Sequence, residues 1–315
     1  MSSKYRQKPM DLAGLKTISV FDRGGKVAVE HFATPHAAGS TMSAWLDRLP
    51  KLLAADTLRA VVAAISEARA KGKPVIWGMG GHVIKCGLAP VLIELMERGF
   101  ITSFAMNGST SIHDFEIGIC GATSEDVEAV LPDGKFGSAE ETGRWMNESL
   151  RAGLGLGECY GAKLEEVGRP EFREKSVLYR AWKKSVPVTV HLALGTDTPH
   201  THPAADGALL GAGSLQDFRL LCSIVSEIGD GGVYVNCGSA VVLPEVFLKV
   251  VSSVRNLGAK LENFTTVNFD FLQHYRPKMN VVERPHAKAG GKGYSLTGHH
   301  EIMIPLIAAL LIEGE

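Results

Sequence analysis

The sequence predicts an α/β fold: a doubly wound, Rossmann-like parallel sheet with helices on both faces. Short apolar segments rich in β-branched residues alternate with helical patterns of 10–17 residues, which is the rhythm of βαβ units. These apolar segments are continuously hydrophobic, as strands covered on both faces are. A length of 315 residues with 45% hydrophobic and 21% charged residues is ordinary for a globular chain with one large domain.

The predicted elements follow one another from residue 52. A helix is expected at 52–69, where apolar residues recur at spacings of three and four. Five later segments have strand character: 74–77, 100–106, 186–194, 232–236 and 265–271. Helical patterns lie at 82–98, 111–120, 244–257 and 302–312, and 123–126 has the composition of a helix cap.

Residues 1–50 differ from the rest of the chain. They mix polar stretches with short apolar pieces and carry Pro9, Pro35 and Pro50. We interpret them as an extension that packs on the body of the protein or on a neighbouring subunit. Residues 51–315 are predicted to form a single domain.

Charge and composition restrict the class of protein. Lys and Arg number 33 against 34 Asp and Glu, a net charge of −1, so no basic excess exists to bind nucleic acid through its phosphates. The first residues lack the apolar core of a signal peptide, and the longest apolar run lies between Glu301 and Glu313, short of the ~20 residues of a membrane span. Five scattered cysteines predict reduced thiols. We expect a cytoplasmic protein without a membrane segment.

Four polar loops follow predicted strands or precede the last helix, and ligands of such sheets bind beyond the carboxyl ends of the strands. The first loop, 78–82, contains Gly80 and Gly81 and opens a helix, which suits a phosphate. It lacks the full dinucleotide-binding fingerprint, and Asn107 stands where the ribose-binding acid would be expected. A tight turn without a ligand explains these glycines equally well.

The second loop, 107–116, leads into a helix that carries His113, Asp114 and Glu116. These side chains suit either catalysis or capping of the helix N-terminus. The third loop, 195–203, places His200 and His202 on one side of an extended chain, as a zinc site would require, although two histidines alone make no site.

The fourth loop, 290–301, holds Lys292 among glycines. A lysine in this setting suits phosphate binding or imine chemistry, and a flexible solvated turn is the alternative. Together the four loops favour an active site.

Five motifs in these loops and helices are distinctive. They are GMGGHVIKCGL at 78–88, MERGFIT at 96–102, MNGSTSIHDFE at 106–116, GATSEDV at 121–127 and TGHHEIMIPL at 297–306. They resemble the deoxyhypusine synthase family, most closely its bacterial deoxyhypusine synthase-like branch, and the resemblance covers roughly residues 50–312.

This resemblance implies a Rossmann-like domain assembled as a homotetramer, with NAD and substrate at subunit interfaces. Eukaryotic and archaeal members of the family oxidise spermidine with NAD. They then transfer its aminobutyl group, through an imine on a lysine, to a lysine of a translation factor. By resemblance, the NAD-binding residues of this chain are Gly80, Gly81, His82, Asn107, Gly108, Asp197, Gly238, Ser239 and Gly298.

Two family features are replaced in this sequence. Leu243 and Phe247 stand where the family has a catalytic histidine and an amine-binding asparagine. The segment 282–288 replaces the motif that carries the imine lysine, which leaves Lys292 or Lys288 as substitutes.

The favoured hypothesis is an NAD-dependent aminobutyl transferase acting on a spermidine-like polyamine, with a small amine or a protein lysine as acceptor. Its proposed nucleophile is Lys292; the proton carriers are His113, His200 and His299, and the ammonium-binding acids are Asp114, Glu116 and Asp197. A catalytically silent NAD- or polyamine-binding protein is one alternative. The other is a zinc-dependent hydrolase built from His200, His202, His299 and Asp197.

Overall fold

The computed structural model of the chain describes residues 3–315. In this part of the chain six strands form one sheet, in the order β3-β2-β1-β4-β5-β6, and every neighbouring pair is parallel. The strands are β1 (Val75–Met79), β2 (Ser103–Asn107), β3 (Val188–His191), β4 (Val233–Cys237), β5 (Thr265–Asp270) and β6 (Lys292–Thr297). The predicted fold class is confirmed.

The helices fill the connections between strands and flank the sheet. They are α1 (Met42–Arg48), α2 (Leu53–Ala70), α3 (Gly81–Lys85), α4 (Ala89–Glu97), α5 (Gly108–Cys120), α6 (Val127–Val130), α7 (Glu140–Glu148), α8 (Leu156–Val167), α9 (Pro170–Arg173), α10 (Val177–Lys183), α11 (Gly207–Val225), α12 (Val242–Asn256), α13 (Tyr275–Pro277) and α14 (His300–Glu313). A π-helical segment, Lys278–Glu283, lies between α13 and β6.

Both faces of the sheet are buried, which explains the continuous hydrophobicity of its strands. Trp77 and Phe269 stack on the face that carries the larger core, with ring centroids 6.2 Å apart. Ile76 and Tyr234 point to the opposite face, where α11 and α12 cover a second core. Successive strand residues therefore meet different apolar layers.

The strand order reverses between β1 and β4, and the loops that follow these strands meet there. A Cβ added to Gly80 would lie 2.2 Å from the carbonyl oxygen of Gly238, so only glycine allows this contact. The Gly80 N–H donates to the Cys237 carbonyl at 2.9 Å. Gly238 has φ +70°, a conformation that favours glycine. The reversal places a crevice at the carboxyl edge of the sheet.

The free edge of β3 is covered by a helix. On α11, the Asp217 carboxylate accepts a hydrogen bond from the Val190 N–H at 2.8 Å. The Ser214 hydroxyl accepts one from the Leu192 N–H at 3.1 Å and lies 3.3 Å from the Val190 carbonyl, to which it donates. Side chains of α11 thus occupy polar groups that would otherwise pair with a further strand.

Helix α11 has the length (19 residues) and mean hydropathy (1.3) that would be enough to cross a membrane. The helix packs along β3 and α12 and holds Asp217 buried in its middle. A helix covering an α/β sheet has the same apolar composition. The apolar run between Glu301 and Glu313, noted in the sequence, belongs to a different helix, α14.

Two features depart from the sequence analysis. Residues 292–297 were predicted as part of a glycine-rich loop but form β6, an edge strand paired with β5. This strand is glycine-containing and partly exposed, so it lacks the apolar run of the other five. The helix predicted over 82–98 is broken into α3 and α4 at Gly87, whose φ is +77°.

Before α1, residues 3–41 are largely exposed, with a short 3-10 turn at Val29–His31. Helix α1 packs on α14, and the Ser43 N–H donates to the Glu313 carboxylate at 2.6 Å. The Arg59 guanidinium holds the carbonyls of Leu46 and Leu49 at 2.9 and 2.6 Å. The interface role expected of residues 1–50 stays a prediction, and residues 1–2 lie outside the described part.

Candidate active site at the carboxyl edge of the sheet

The loops after β1 and β2 are joined by the first turn of α5. The Thr110 hydroxyl lies 2.9 Å from the Met79 carbonyl and 2.7 Å from Asn107 Oδ1, and the Asn107 side chain caps α5 by accepting from the Thr110 N–H. A Cβ on Gly81 would lie 2.3 Å from Ser109 Oγ. The structure therefore brings the two predicted NAD loops together.

Asp197 lies against the start of α5. A Cβ on Gly108 would fall 2.0 Å from Asp197 Oδ2, so the carboxylate occupies the space that a side chain there would take. The Asp197 side chain is only 10% exposed, and within residues 3–315 its Oδ2 has no hydrogen-bond partner. Burial raises the pKa of Asp197 to about 6. An unpartnered acceptor thus sits beside a helix N-terminus, whose first N–H groups have no partner within the helix.

A chain of hydrogen-bonded side chains runs along the half-buried side of α5. His113 Nδ1 lies 2.7 Å from the Thr123 hydroxyl, which also contacts the Glu116 carboxylate, and Thr142 donates to Glu116 at 3.2 Å. The His113 ring reaches to 3.1 Å from the Cβ position of Gly81. Burial acts to raise the pKa of Glu116, but the nearby His113 ring, with Nδ1 3.9 Å from the carboxylate, and the hydrogen bonds from Thr123 and Thr142 outweigh it and hold that pKa below its ordinary value.

Glu116 forms part of the wall of a cavity of about 530 Å³. Glu125, Glu141 and Trp145 line the same cavity, together with Arg169. Three carboxylates and an indole ring form a surface that suits a cationic amine. His113 connects this cavity with the glycine loop after β1.

A pair of histidines lies on the other side of the crevice. The Nδ1 atoms of His82 and His300 are 2.9 Å apart, so one ring donates to the other. His300 is fully buried, with Nε2 3.3 Å from the Phe269 carbonyl, and Cys86 Sγ lies 3.4 Å from His82 Nδ1. His299, the predicted proton carrier, points outward with 67% of its side chain exposed. The neighbouring residue His300, rather than His299, is the histidine that the first turn of α14 buries beside the crevice.

The prediction that Asp114 binds substrate is not supported by its position. Asp114 is fully buried and accepts hydrogen bonds from the Ser176 hydroxyl at 2.6 Å and from the N–H groups of Val177 and Leu178 at 2.8 Å each. These contacts cap the N-terminus of α10. Asp114 and Glu116 lie on different faces of α5, because residues two apart in a helix do not share a face.

Lys292 lies far from this edge. It is the first residue of β6 and pairs with Thr265, the first residue of β5, so it stands at the amino edge of the parallel sheet. Five residues at ~3.3 Å each put it about 16 Å from the carboxyl end of its strand. Lys288, in the turn before β6, is at the same end. The structure does not bring either predicted nucleophile to the glycine loops.

The remaining predicted residues lie at the carboxyl edge with separate partners. Ser239 Oγ accepts from the N–H of Leu243, in the first turn of α12, and the Gly298 N–H donates to the Asp270 carbonyl after β6. His200 Nδ1 accepts from the Gly195 N–H and its Nε2 lies 3.9 Å from Asp197.

The predicted zinc ligands are not assembled into a metal site. His202 Nε2 lies 3.1 Å from Glu140, whereas His200 turns toward Asp197. Over residues 3–315, no three His, Cys, Asp or Glu side chains are grouped so that they could hold a metal ion.

No protein-family model matches the sequence, and no curated protein matches it. Solved structures do match its fold. A conserved LOR/SDH-type protein from Methanococcus maripaludis S2 overlaps with a TM-score of 0.51 at 14% identity, over 88% of this chain and 71% of that protein. Unliganded AgrE overlaps with a TM-score of 0.54 at 12% identity, over 81% of this chain and 32% of AgrE.

A ternary complex of AgrE with ornithine and NAD⁺ overlaps with a TM-score of 0.50 at 13% identity, over 84% of this chain and 34% of AgrE. This chain therefore spans about a third of the length of AgrE. A protein from Entamoeba histolytica assigned as a deoxyhypusine synthase reaches a TM-score of 0.49 at 12% identity, over 82% of this chain and 88% of its own, too low to argue from. At these identities the overlaps show a shared fold.

Proposed function

We propose that this chain is an NAD-dependent transferase that oxidises a spermidine-like polyamine and transfers its aminobutyl group to an acceptor amine. The observation that carries the proposal is Asp197, a buried carboxylate with a free oxygen beside the N-terminus of α5. Family motifs in the loops after β1 and β2 support it, as does the shared fold of AgrE, one of whose structures contains NAD⁺ and ornithine.

The residues at the carboxyl edge fit a dinucleotide. Asp197 Oδ2 would accept a hydrogen bond from a ribose hydroxyl, the role that an acidic residue has in Rossmann-type sites. The N-terminus of α5, beginning at Gly108, would face the diphosphate, and the loop at Gly80, Gly81 and His82 would line the same crevice. When bound, NAD would supply a reversible hydride acceptor, so that an amine carbon can be oxidised to an imine. The acceptor amine would then displace the original amine, which leaves as 1,3-diaminopropane when spermidine is the substrate, and return of the hydride would reduce the new imine without net redox change.

The chain's own residues would bind the amine and move its protons. Glu116, kept ionised by its hydrogen bonds, would hold a substrate ammonium group in the 530 Å³ cavity, and Trp145 would contact the same cation. His113 lies between Glu116 and the loop at Gly81, so it is positioned to take a proton from the reacting nitrogen and return it. The acceptor would be a second amine, and the exchange needs no lysine of the chain.

Two features of this proposal come from the family resemblance. They are a homotetrameric assembly and a protein lysine as one possible class of acceptor. A cytoplasmic location is proposed separately, from the five scattered cysteines of the sequence. The imine lysine is the feature that we do not carry over, because Lys292 stands at the amino edge of the sheet.

A second candidate, a catalytically silent NAD- or polyamine-binding protein, is favoured by one observation. Leu243 and Phe247, at the positions of the family's histidine and asparagine, are fully buried. Phe247 stacks on Tyr234 with ring centroids 3.7 Å apart. These two positions belong to the apolar core and offer nothing to a substrate.

The test is calorimetric titration with NAD, with and without spermidine, followed by absorbance detection of NADH. We expect micromolar binding, about tenfold weaker in Asp197→Asn, which corresponds to ~1.4 kcal/mol. The matched control is Asp206→Asn, in the same loop, where Asn keeps the helix cap that Asp206 provides to α11. Failure of the wild type to bind NAD would refute the proposal. NAD binding with no NADH produced from any polyamine would favour the silent protein.

A further inference from the structure

A second cavity, of about 400 Å³, opens at the free edge of β3, away from the crevice at the carboxyl edge. The turn that precedes α8, the beginning of β3 and one side of α11 form its walls. The lining includes Gly155, Glu158, Trp182, Asp217 and Leu220.

Asp217 is the central polar group of this cavity. The residue is 1% exposed, and its Oδ2 accepts hydrogen bonds from the N–H groups of Gly157 and Val190 at 3.1 and 2.8 Å. Its Oδ1 has no hydrogen-bond partner anywhere in residues 3–315. This oxygen lies 1.9 Å from where a Cβ on Gly155 would be, so the carboxylate occupies the space that any larger residue at position 155 would need.

Within residues 3–315, no cationic side chain balances the charge of Asp217. Glu158, in the first turn of α8, lines the same cavity, and its charge adds to burial in raising the pKa of Asp217 to about 7. No Lys, Arg or His of the described chain forms an ion pair with Asp217 within 4.0 Å. A buried carboxylate without a counter-charge is costly, and a bound cation removes that cost.

The chemistry of the walls selects among ligands. An anion is disfavoured, because two carboxylates, those of Asp217 and Glu158, line the cavity. A metal ion is disfavoured too, since two carboxylates without a third ligand make a poor site. Trp182 and Leu220 add an aromatic ring and an aliphatic side chain to the two carboxylates.

We propose that this cavity binds an aliphatic ammonium compound. Its charged nitrogen would lie against the carboxylates of Asp217 and Glu158, and its alkyl chain would pack on Trp182 and Leu220. The site is separate from the Glu116 cavity and does not depend on the proposed NAD chemistry. It gives the chain a second, non-catalytic amine site, connected through Val190 to the strand whose carboxyl end faces the crevice.

The test is calorimetric titration with 1,4-diaminobutane at pH 8, where Asp217 is ionised and the amine is protonated. The neutral diol of the same length, 1,4-butanediol, is the control ligand and should not bind. We expect Asp217→Asn to weaken binding of the diamine at least tenfold and Glu158→Gln about threefold. Glu166→Gln, at the far end of α8, should leave it unchanged.

Two measurements keep the outcome clear. Circular dichroism reports whether Asp217→Asn folds. If it does not, diamine binding is tested with two other variants, Glu158→Gln, at an exposed residue, and Trp182→Leu. NAD is titrated into each variant in parallel, so that any damage to the proposed NAD-binding crevice is detected independently of diamine binding. The proposal would be overturned by absence of diamine binding at millimolar concentration. It would also be overturned if Glu116→Gln abolished the binding while Asp217→Asn and Glu158→Gln did not.

Discussion

Burial raises the pKa of both Asp114, which is fully buried, and Asp197, whose side chain is 10% exposed, to about 6, yet their surroundings differ completely. Asp114 receives three hydrogen bonds that cap α10, and both of its oxygens are used. Asp197 keeps Oδ2 free at the edge of a crevice. The comparison shows that the hydrogen-bond partners of a buried carboxylate, rather than its burial, separate a structural acid from one available to a ligand.

Asp217 stands between these two cases. One of its oxygens has two backbone donors, as in Asp114, and the other is free, as in Asp197. The same residue can therefore support the fold and leave an acceptor for a ligand.

The largest expected effect is that of Asp114→Ala. Removing this carboxylate leaves two buried N–H groups and a hydroxyl without their acceptor, so we expect the free energy of unfolding to fall by about 3–5 kcal/mol. Urea denaturation measures it. Asp126→Ala is the control, because Asp126 also caps a helix but is exposed, and it should cost about 1 kcal/mol. Equal losses for the two variants would contradict the structural role of Asp114.

Asp197→Asn should instead increase stability at neutral pH. The folded state raises the pKa of this carboxyl from 3.8 to about 6, so it binds the proton more tightly than the unfolded chain does. Proton binding at Asp197 therefore contributes fully to the free energy of unfolding below pH 4. This contribution, up to about 3 kcal/mol, is lost as the pH rises through 6. Urea denaturation without NAD at pH 4 and pH 7.5 measures it: relative to wild type, the variant should gain stability as the pH rises. If the free energies of unfolding of the variant and the wild type changed in parallel with pH, the charge of Asp197 would be compensated by the surrounding protein, against this prediction.

The smallest effect is expected for Ser176→Ala. This removes one of the three donors to Asp114 and the hydroxyl that accepts from the Tyr179 N–H, while both backbone donors remain. We expect a loss of about 1–2 kcal/mol, with NAD affinity unchanged. Thermal unfolding and NAD titration of the same sample check both statements, and a tenfold change in NAD affinity would link the α10 cap to the crevice.

The fold was predictable where hydrophobic pattern decides structure. Five strands lie close to their predicted positions because each is buried on both faces. The sixth strand could not be found this way, since Lys292 to Thr297 is partly exposed and gains its conformation from pairing with β5. The helices α7, α8, α10 and α11 were not placed by the sequence analysis either.

The loops that form the site were predictable from the sequence, whereas the roles of individual residues were less so. Topology alone brings the segments after β1 and β2 together, and the sequence identified both. The direction of a side chain depends on packing, so Asp114 turned inward to α10 and His299 outward, while His300 was buried. The distance of Lys292 from the crevice follows from β6, the strand that the sequence did not reveal.

The cover that α11 provides for β3 also bears on self-association. An open strand edge is a template on which another chain can add a strand, and this is a common start of aggregation. Asp217 and Ser214 occupy polar groups that such a strand would need, so a second copy would first have to displace α11. At the opposite edge, β6 begins with an exposed lysine, a residue type that discourages strand addition. Lys292 thus discourages the addition of a further strand at this edge of the sheet.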